Sequence, residues 1–479
     1  MSDKTPSPAG GALFAPYARL RSGWQPDVLL EWNENGTLTT VRSHITEEVL
    51  GETLNLQRVC GPVLAGMPNL HSHAFQSAMA GLTEYRANAA DSFWSWRDLM
   101  YRFAARLSPD SISAIAHWLY IEMLKAGYTS VCEFHYVHHQ ADGMRHTRPA
   151  ELSERVVDAA EQAGIGMTML PVLYQYSGFG AQAPRQDQRR FINTPEQLLD
   201  MLEGLRHARP ESAQRRYGVA PHSLRAVSPS SLKALFNGLD RHFPNAPIHI
   251  HIAEQLAEVQ ACVETEGVRP VRWLLDHFKV DQRWCLVHAT HVDGDETQAL
   301  AQSGAVAGLC PITEANLGDG IFPAADYLSA QGRFGLGSDS HIGVDWRSEL
   351  RLLEYGQRLL RHERNVLASP RQPQVADRLF DDAASGGALA SGRSIGSLVV
   401  GRQADFMVLD PDHPHLAEQR PDMWLSGLVF SERSATTAIR DVYVAGRHVV
   451  RERRHHGEEQ AYARYRLALT ELLQQGSRS

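Results

Sequence analysis

No apolar run in the sequence is long enough to cross a bilayer, which argues against a membrane-spanning helix. No C-x-x-C pair occurs, and the five cysteines, Cys60, Cys132, Cys262, Cys285 and Cys310, are widely scattered. An odd, dispersed set of this kind suits reduced thiols in the cytosol, several of them simply core residues. A basic excess is also missing: the formal net charge is -8, so a phosphate-binding face and a nucleic-acid partner are not expected, and a small molecule is. The opening MSDKTPSPAGG lacks the apolar core of a secretory signal, so the chain is expected in the cytoplasm with its first ten residues disordered. Internal repeats and low-complexity domains are absent as well.

What is present is a chain of 479 residues, 43% hydrophobic and 21% charged, a size that fits one large barrel plus an accessory domain. The 23 histidines are the unusual quantity. Their meaning depends on which of them a strand delivers to a common point.

Between about residue 63 and residue 341, eight short segments read as buried strands, most of them separated by an amphipathic helical stretch. They are VLAGMPNLHSH at 63–73, TSVCEFHY at 129–136, GMTMLPVLY at 166–174, YGVAPH at 217–222, and then PIHIHIAE, RWCLVHAT, AVAGLCP and FGLGSDSH, starting at Pro247, Arg283, Ala305 and Phe334. In SPDSISAIAHWLYIEMLKAG, Ser108 is placed to cap a helix, Pro109 to open its first turn and Gly127 to end it. Eight strand–helix units closing on themselves make a (β/α)8 TIM barrel, an α/β fold whose functional residues lie at the C-terminal strand ends. Before the barrel, DVLLEWNENGTLTTV reads as a hairpin about an Asn-Gly turn. After it, GSLVVGRQADFMVLD and ATTAIRDVYVAGRHVV resume short strands, so both termini are expected to combine into one small β-sandwich domain. The boundaries are drawn as 1–62 and 391–479 for the β domain and 63–390 for the barrel. The stretch from Arg451 onward, RERRHHGEEQ followed by a helical pattern, reads as solvated surface.

Strand alternation points His71 and His73, at the end of the first strand, to one side. The fifth segment ends in His249-Ile250-His251-Ile252-Ala253-Glu254, the sixth in His288 and the eighth in Asp339. Zinc takes nitrogen and carboxylate ligands and, in catalytic sites, keeps a position open for water, so His71, His73, His251 and Asp339 form a chemically sensible metal set. Glu254 and His288 remain for proton traffic. His249 lies two residues from His251, and alternation alone does not choose between them; the H-x-x-E spacing favours His251. His291, His341, His135, His138 and His139 also lie near strand ends, but they are left out of the metal set.

The motifs P-N-L-H-S-H, H-I-A-E, V-H-A-T and G-S-D-S-H, one at each of these strand ends, closely resemble those of the amidohydrolase superfamily, over nearly the whole chain. Within it, H-S-H-A-F-Q-S-A-M-A-G, F-W-S-W-R, E-F-H-Y-V-H-H and A-P-H-S-L-R-A-V resemble the formimidoylglutamate deiminase family of histidine breakdown. That resemblance implies one zinc per subunit and hydrolysis of N-formimidoyl-L-glutamate to N-formyl-L-glutamate and ammonia. His288 would help activate water, Glu254 would shuttle a proton to the departing nitrogen, and Asp339 would act with both. It also implies substrate binding by Gln76, Arg97, Tyr136, His222 and Arg225, and a homodimer. A dianionic substrate on an acidic protein needs local cations, and the planar guanidinium groups of Arg97 and Arg225 pair well with carboxylates. Phe93, Trp94 and Trp96 read as packing or the wall of a lid, with 74–100 as the lid segment. Two other readings compete: a guanine- or cytosine-type ring deaminase with the same metal residues, and a non-catalytic barrel whose metal is structural.

Overall fold

Eight parallel strand segments run through the centre of the protein, and every residue of Tyr128–His135 and Gly166–Leu173 is buried. Such strands are apolar on both faces because helices cover the sheet outside while side chains fill it inside. The computed structural model describes residues 10–82, 84, 93–431 and 436–476. The stretch 1–9, expected to be disordered, the side chains of Phe93 and Trp94, and most of 83–92 within the expected lid lie outside the described residues. No described helix is long and apolar enough to cross a membrane.

The hydrogen-bonded path runs Ala220–Pro221, Gly166–Leu173, Tyr128–His135, Met67–Ser72, Arg333–Leu336, Val306–Leu309, Trp284–His288, Ile248–Ile252. Isolated parallel bridges, Val219 to Ile248 and Ser223 to His251, join its two ends. This is the expected order of a (β/α)8 barrel. The fourth segment is broken into Arg215–Tyr217 and Ala220–Pro221. Between them, a side chain at Gly218 would meet the Pro247 carbonyl at 2.4 Å. The helix Pro109–Lys125 starts as its sequence predicts, with the Ser108 hydroxyl accepting from the Ser111 N–H and Pro109 in the first turn.

The terminal domain is a nine-stranded sheet, built from the strands between Gly11 and Ala65 and those between Phe406 and His455. Its two halves share one core, in which Trp32 packs against Phe406 with ring centres 5.9 Å apart and against Tyr443 at 6.5 Å. The expected hairpin joins Gly23–Trp32 to Leu38–Arg42, its turn held by the Asn33 side chain, which accepts from the Asn35 and Thr37 N–H groups.

Two expectations need correction. Residues 63–73, read as one strand, form two. Val63–Ala65 pairs with Phe406–Leu409 in the terminal sheet, and Met67–Ser72 begins the barrel. Apolar character on both sides of Gly66 concealed the change of sheet. The stretch after Arg451 is not wholly solvated: Arg454–His455 adds a short strand, and His455 is buried with its Nε2 bonded to the Ala163 carbonyl. The helix Glu458–Gly476 packs on Pro109–Lys125 through buried Ala461 and Leu472, aided by a Lys125–Glu458 ion pair. Dense surface charge masked these few inward positions.

Candidate active site

The end of Met67–Ser72 carries His71 and His73 to the C-terminal mouth of the barrel, where Ile248–Ile252 brings His251 and the turn after Arg333–Leu336 brings Asp339. One ligand atom from each of these four buried residues lies within 4.8 Å of all the others. The Nε2 atom of His71 is 3.1 Å from Nε2 of His73 and 3.1 Å from Nε2 of His251. Asp339 Oδ1 is 3.4 Å from both His71 Nε2 and His73 Nε2. Zinc ligands about 2.0–2.1 Å from a tetrahedral ion lie about 3.3 Å from one another, so these spacings fit a divalent cation. Backbone carbonyls fix two of the rings: Nδ1 of His73 donates to Phe134 O at 2.9 Å and Nδ1 of His251 to His222 O at 3.1 Å. Each ring therefore turns the lone pair of Nε2 inward. Lone pairs and a carboxylate gathered in a buried space repel one another unless a cation sits among them.

Protonation agrees with that reading. Burial, and then the neighbouring imidazole of His73, pushes His71 down to about 3, although Asp339 pulls the other way. Burial likewise lowers His73 and His251. Burial works against the Asp339 carboxylate, yet the hydrogen bond from His71 and the surrounding imidazoles hold it below its usual range. Neutral imidazoles and an ionised carboxylate are the forms that bind metal.

Glu254 and His288 face this cage. His288 Nε2 lies 3.8 Å from Glu254 Oε1 and 3.7 Å from Asp339 Oδ2. Burial pushes Glu254 up to about 7 against the pull of His288. Burial disfavours the charged form of His288, but Glu254, Glu314 and Asp339 together raise it well above the usual histidine range. Left-handed backbone turns these strand ends into the mouth: φ is +52° at Ala253, +68° at His288, +48° at Ala289 and +47° at Asp339. Non-glycine residues adopt such angles at a cost of about 1–3 kcal/mol each, which the surrounding contacts must offset.

Two supporting features escaped the sequence reading. Glu314, in the helix Pro311–Leu317, accepts at 3.2 Å from Nδ1 of His288 and at 2.8 Å from the Cys310 N–H. Below the cage runs a relay across the first, second and eighth strands. Asn69 donates to Ser338 Oγ at 2.5 Å, Ser338 to His341 Nδ1 at 2.9 Å, His341 Nε2 to Ser72 Oγ at 3.1 Å, and Ser72 to Glu133 at 2.5 Å. The remaining candidates for a ligand role have other partners. His249 binds the Ala390 carbonyl, His138 that of Val172, His139 that of Ile192 and His291 that of Asp319. His135 lies apart from the four-residue group.

A cavity opens beside the cage, and Gln76, Arg97, Tyr136, His222 and Arg225 all line it, together with Glu254 and His288. Gln76 Nε2 donates to Tyr136 Oη at 2.8 Å. His222 is held neutral by burial and by the nearby Arg225. Burial opposes the charge of Arg225, but Glu258 and its other anionic surroundings raise it above its ordinary value, so it remains a cation. Arg225 is hydrogen-bonded to none of the described residues. Trp96 also lines the cavity, as do Met100, Tyr101, Tyr174 and Leu317, none of which the sequence reading had placed as a ligand contact. Taken together, the arrangement can activate water beside a proton-carrying pair while guanidinium groups hold an anionic molecule.

Residues 63–449 match the Amidohydrolase family. A formimidoylglutamate deiminase of Pseudomonas aeruginosa is 52% identical over 462 residues, spanning 96% of this chain and 99% of the relative. Among solved structures, an amidohydrolase from Brucella melitensis superposes with a TM-score of 0.89 at 44% identity, covering 97% of this chain and 100% of that one. An adenosine deaminase from Xanthomonas campestris with bound zinc superposes with a TM-score of 0.78 at 19% identity, covering 98% and 100%, and shares the fold.

Proposed function

We propose, given that the chain belongs to the amidohydrolase family, that it hydrolyses N-formimidoyl-L-glutamate to N-formyl-L-glutamate and ammonia, a step of histidine degradation. The observation that carries this reading is the near full-length 52% identity to a deiminase of that name, joined to a cavity that puts two arginines beside a buried His-His-His-Asp cage. His71, His73, His251 and Asp339 would hold one zinc per subunit. Bound there, the ion supplies Lewis acidity that makes water nucleophilic at neutral pH.

The chain's own residues do the rest. Arg97 and Arg225 hold the two carboxylates, and Gln76, Tyr136 and His222 add neutral contacts. This anchors the formimidoyl carbon beside Glu254 and His288. His288, held as a cation beside Asp339 and Glu314, helps position and polarise the attacking water, whose proton Glu254 takes. Glu254 returns a proton to the departing nitrogen, so that the C–N bond breaks with release of neutral ammonia rather than an amide anion. The burial of both groups keeps their protons within the site. The homodimer implied by the family resemblance and the cytoplasmic location expected from the sequence belong to this proposal, and light scattering on the purified protein reads the first.

The decisive experiment is ammonia release from N-formimidoyl-L-glutamate with and without a chelator. Turnover that disappears on chelation and returns with zinc is the expected result. A protein that deaminates guanine or cytosine and ignores N-formimidoyl-L-glutamate would be a ring deaminase instead.

A further inference from the structure

Three side chains on the cavity wall form a closed triangle. Tyr101, on the helix Phe93–Ala104, and Tyr174, just beyond Gly166–Leu173, place their hydroxyl oxygens 3.1 Å apart. Gln188 Nε2 lies 3.1 Å from the first and 2.9 Å from the second. All three side chains are buried, and both tyrosines line the cavity.

The orientation of the Gln188 amide is not free. Its Oε1 accepts the Arg185 backbone N–H at 2.7 Å, which only an oxygen can do, so the NH2 group must face the tyrosines. An amide nitrogen donates and does not accept. Neither hydroxyl hydrogen can therefore point at Gln188. Two hydroxyl hydrogens remain to be placed, and the contact between the tyrosine oxygens holds only one of them. Among the described residues neither hydroxyl has another hydrogen-bond partner. The second hydrogen is left without an acceptor in the protein, on groups that border the cavity. An acceptor arriving in the cavity can take that hydrogen without displacing any hydrogen bond within the protein.

The surroundings say what kind of acceptor. The Arg97 guanidinium carbon lies 5.6 Å from the centre of the Tyr101 ring, and both Arg97 and Arg225 act electrostatically on Tyr174. A hydroxyl donor lining the same cavity as two guanidinium groups suits an anion with more acceptor positions than either arginine fills, as a carboxylate has.

We propose that the Tyr101–Tyr174 pair is a further substrate-binding element, donating one hydroxyl hydrogen to a carboxylate of the substrate, and that Gln188 is a positioning residue that forces this hydrogen toward the cavity. The inference rests on the dianionic-substrate reading above. It gives the site a neutral donor that favours a carboxylate over an amide or ester at that position only through the company of the two arginines.

The test compares Tyr101→Phe, Tyr174→Phe, the double variant and Gln188→Glu with the wild-type protein, each zinc-loaded. Kinetics with N-formimidoyl-L-glutamate are measured alongside calorimetric binding of glutarate, a dicarboxylate that cannot turn over. The double variant is expected to raise KM and weaken glutarate binding by about 10- to 100-fold, the range for a hydrogen bond to a charged group, with kcat changed less than about threefold. One single variant should account for most of this. Gln188→Glu keeps both tyrosines but offers their hydroxyls an acceptor, and it should raise KM in the same way, which a purely structural role for Gln188 would not predict. Wild-type KM and wild-type glutarate affinity in the double variant would overturn the proposal. If the wild-type protein releases no ammonia from this substrate, the functional reading fails by itself, and the glutarate comparison still decides whether the tyrosines bind a carboxylate.

Discussion

Glu254→Gln is expected to cut turnover of N-formimidoyl-L-glutamate by about a thousandfold while leaving the metal content of the protein unchanged. The side chain stands apart from the four ligand atoms and faces His288 at 3.8 Å. Burial pushes its carboxyl up to about 7, which lets it both hold and release a proton near neutral pH, whereas an amide of the same shape does neither. The cavity walls and the cage should be undisturbed, so KM is expected to stay within a few-fold. Elemental analysis together with steady-state kinetics checks both halves of the statement. Wild-type kcat in the variant would remove Glu254 from the proton path.

His251→Ala should act on the other component. It takes away one of three imidazole donors and leaves a hole beside His71 and His73, so metal affinity is expected to fall by more than about 100-fold and turnover to background. His249, two residues earlier, cannot substitute, because its ring is tied to the Ala390 carbonyl at 2.9 Å. Metal analysis after exhaustive dialysis gives the answer. Retention of one equivalent would mean that the cage is not where the ion resides. The corresponding change at His249 should leave metal content intact, which makes the pair of variants a direct comparison between two histidines on one strand.

That comparison also shows what the sequence could disclose. Period-two alternation puts His249 and His251 on the same side of their strand and leaves the choice to motif spacing. The structure resolves it by depth, since one ring meets the chain end of the helix Val375–Ser391 and the other reaches the mouth. His71, His73 and Asp339 were legible because strand ends in a barrel converge on one rim, so a few apolar runs suffice to gather residues far apart in the chain. Glu314 was not legible. It stands one turn into a helix, where an acidic residue is ordinary, and nothing local marks its contact with His288. Tyr101 comes from the connection after the first barrel strand, and Tyr174 and Gln188 from the one after the third; their meeting depends on how these connections fold back, and no periodicity encodes that. The ten-residue strand Gly11–Leu20 was missed for a related reason: Pro16 lies within it, and proline argues against strand in a local reading. The fold class survives such omissions because the barrel rests on many similar units.

One connection has a consequence for how the protein fails on heating. Val63–Ala65 belongs to the terminal sheet, Met67–Ser72 to the barrel, and Gly66 alone separates them, packed so closely that a side chain there would strike Thr129 at 2.2 Å. His71 lies only a few residues beyond. There is no slack to absorb a loosening of the outer sheet before it reaches the ligand strand. Thermal inactivation and melting of the terminal sheet should therefore fall on one curve, and trimming the chain to a bare barrel should cost the catalyst as well as the ornament.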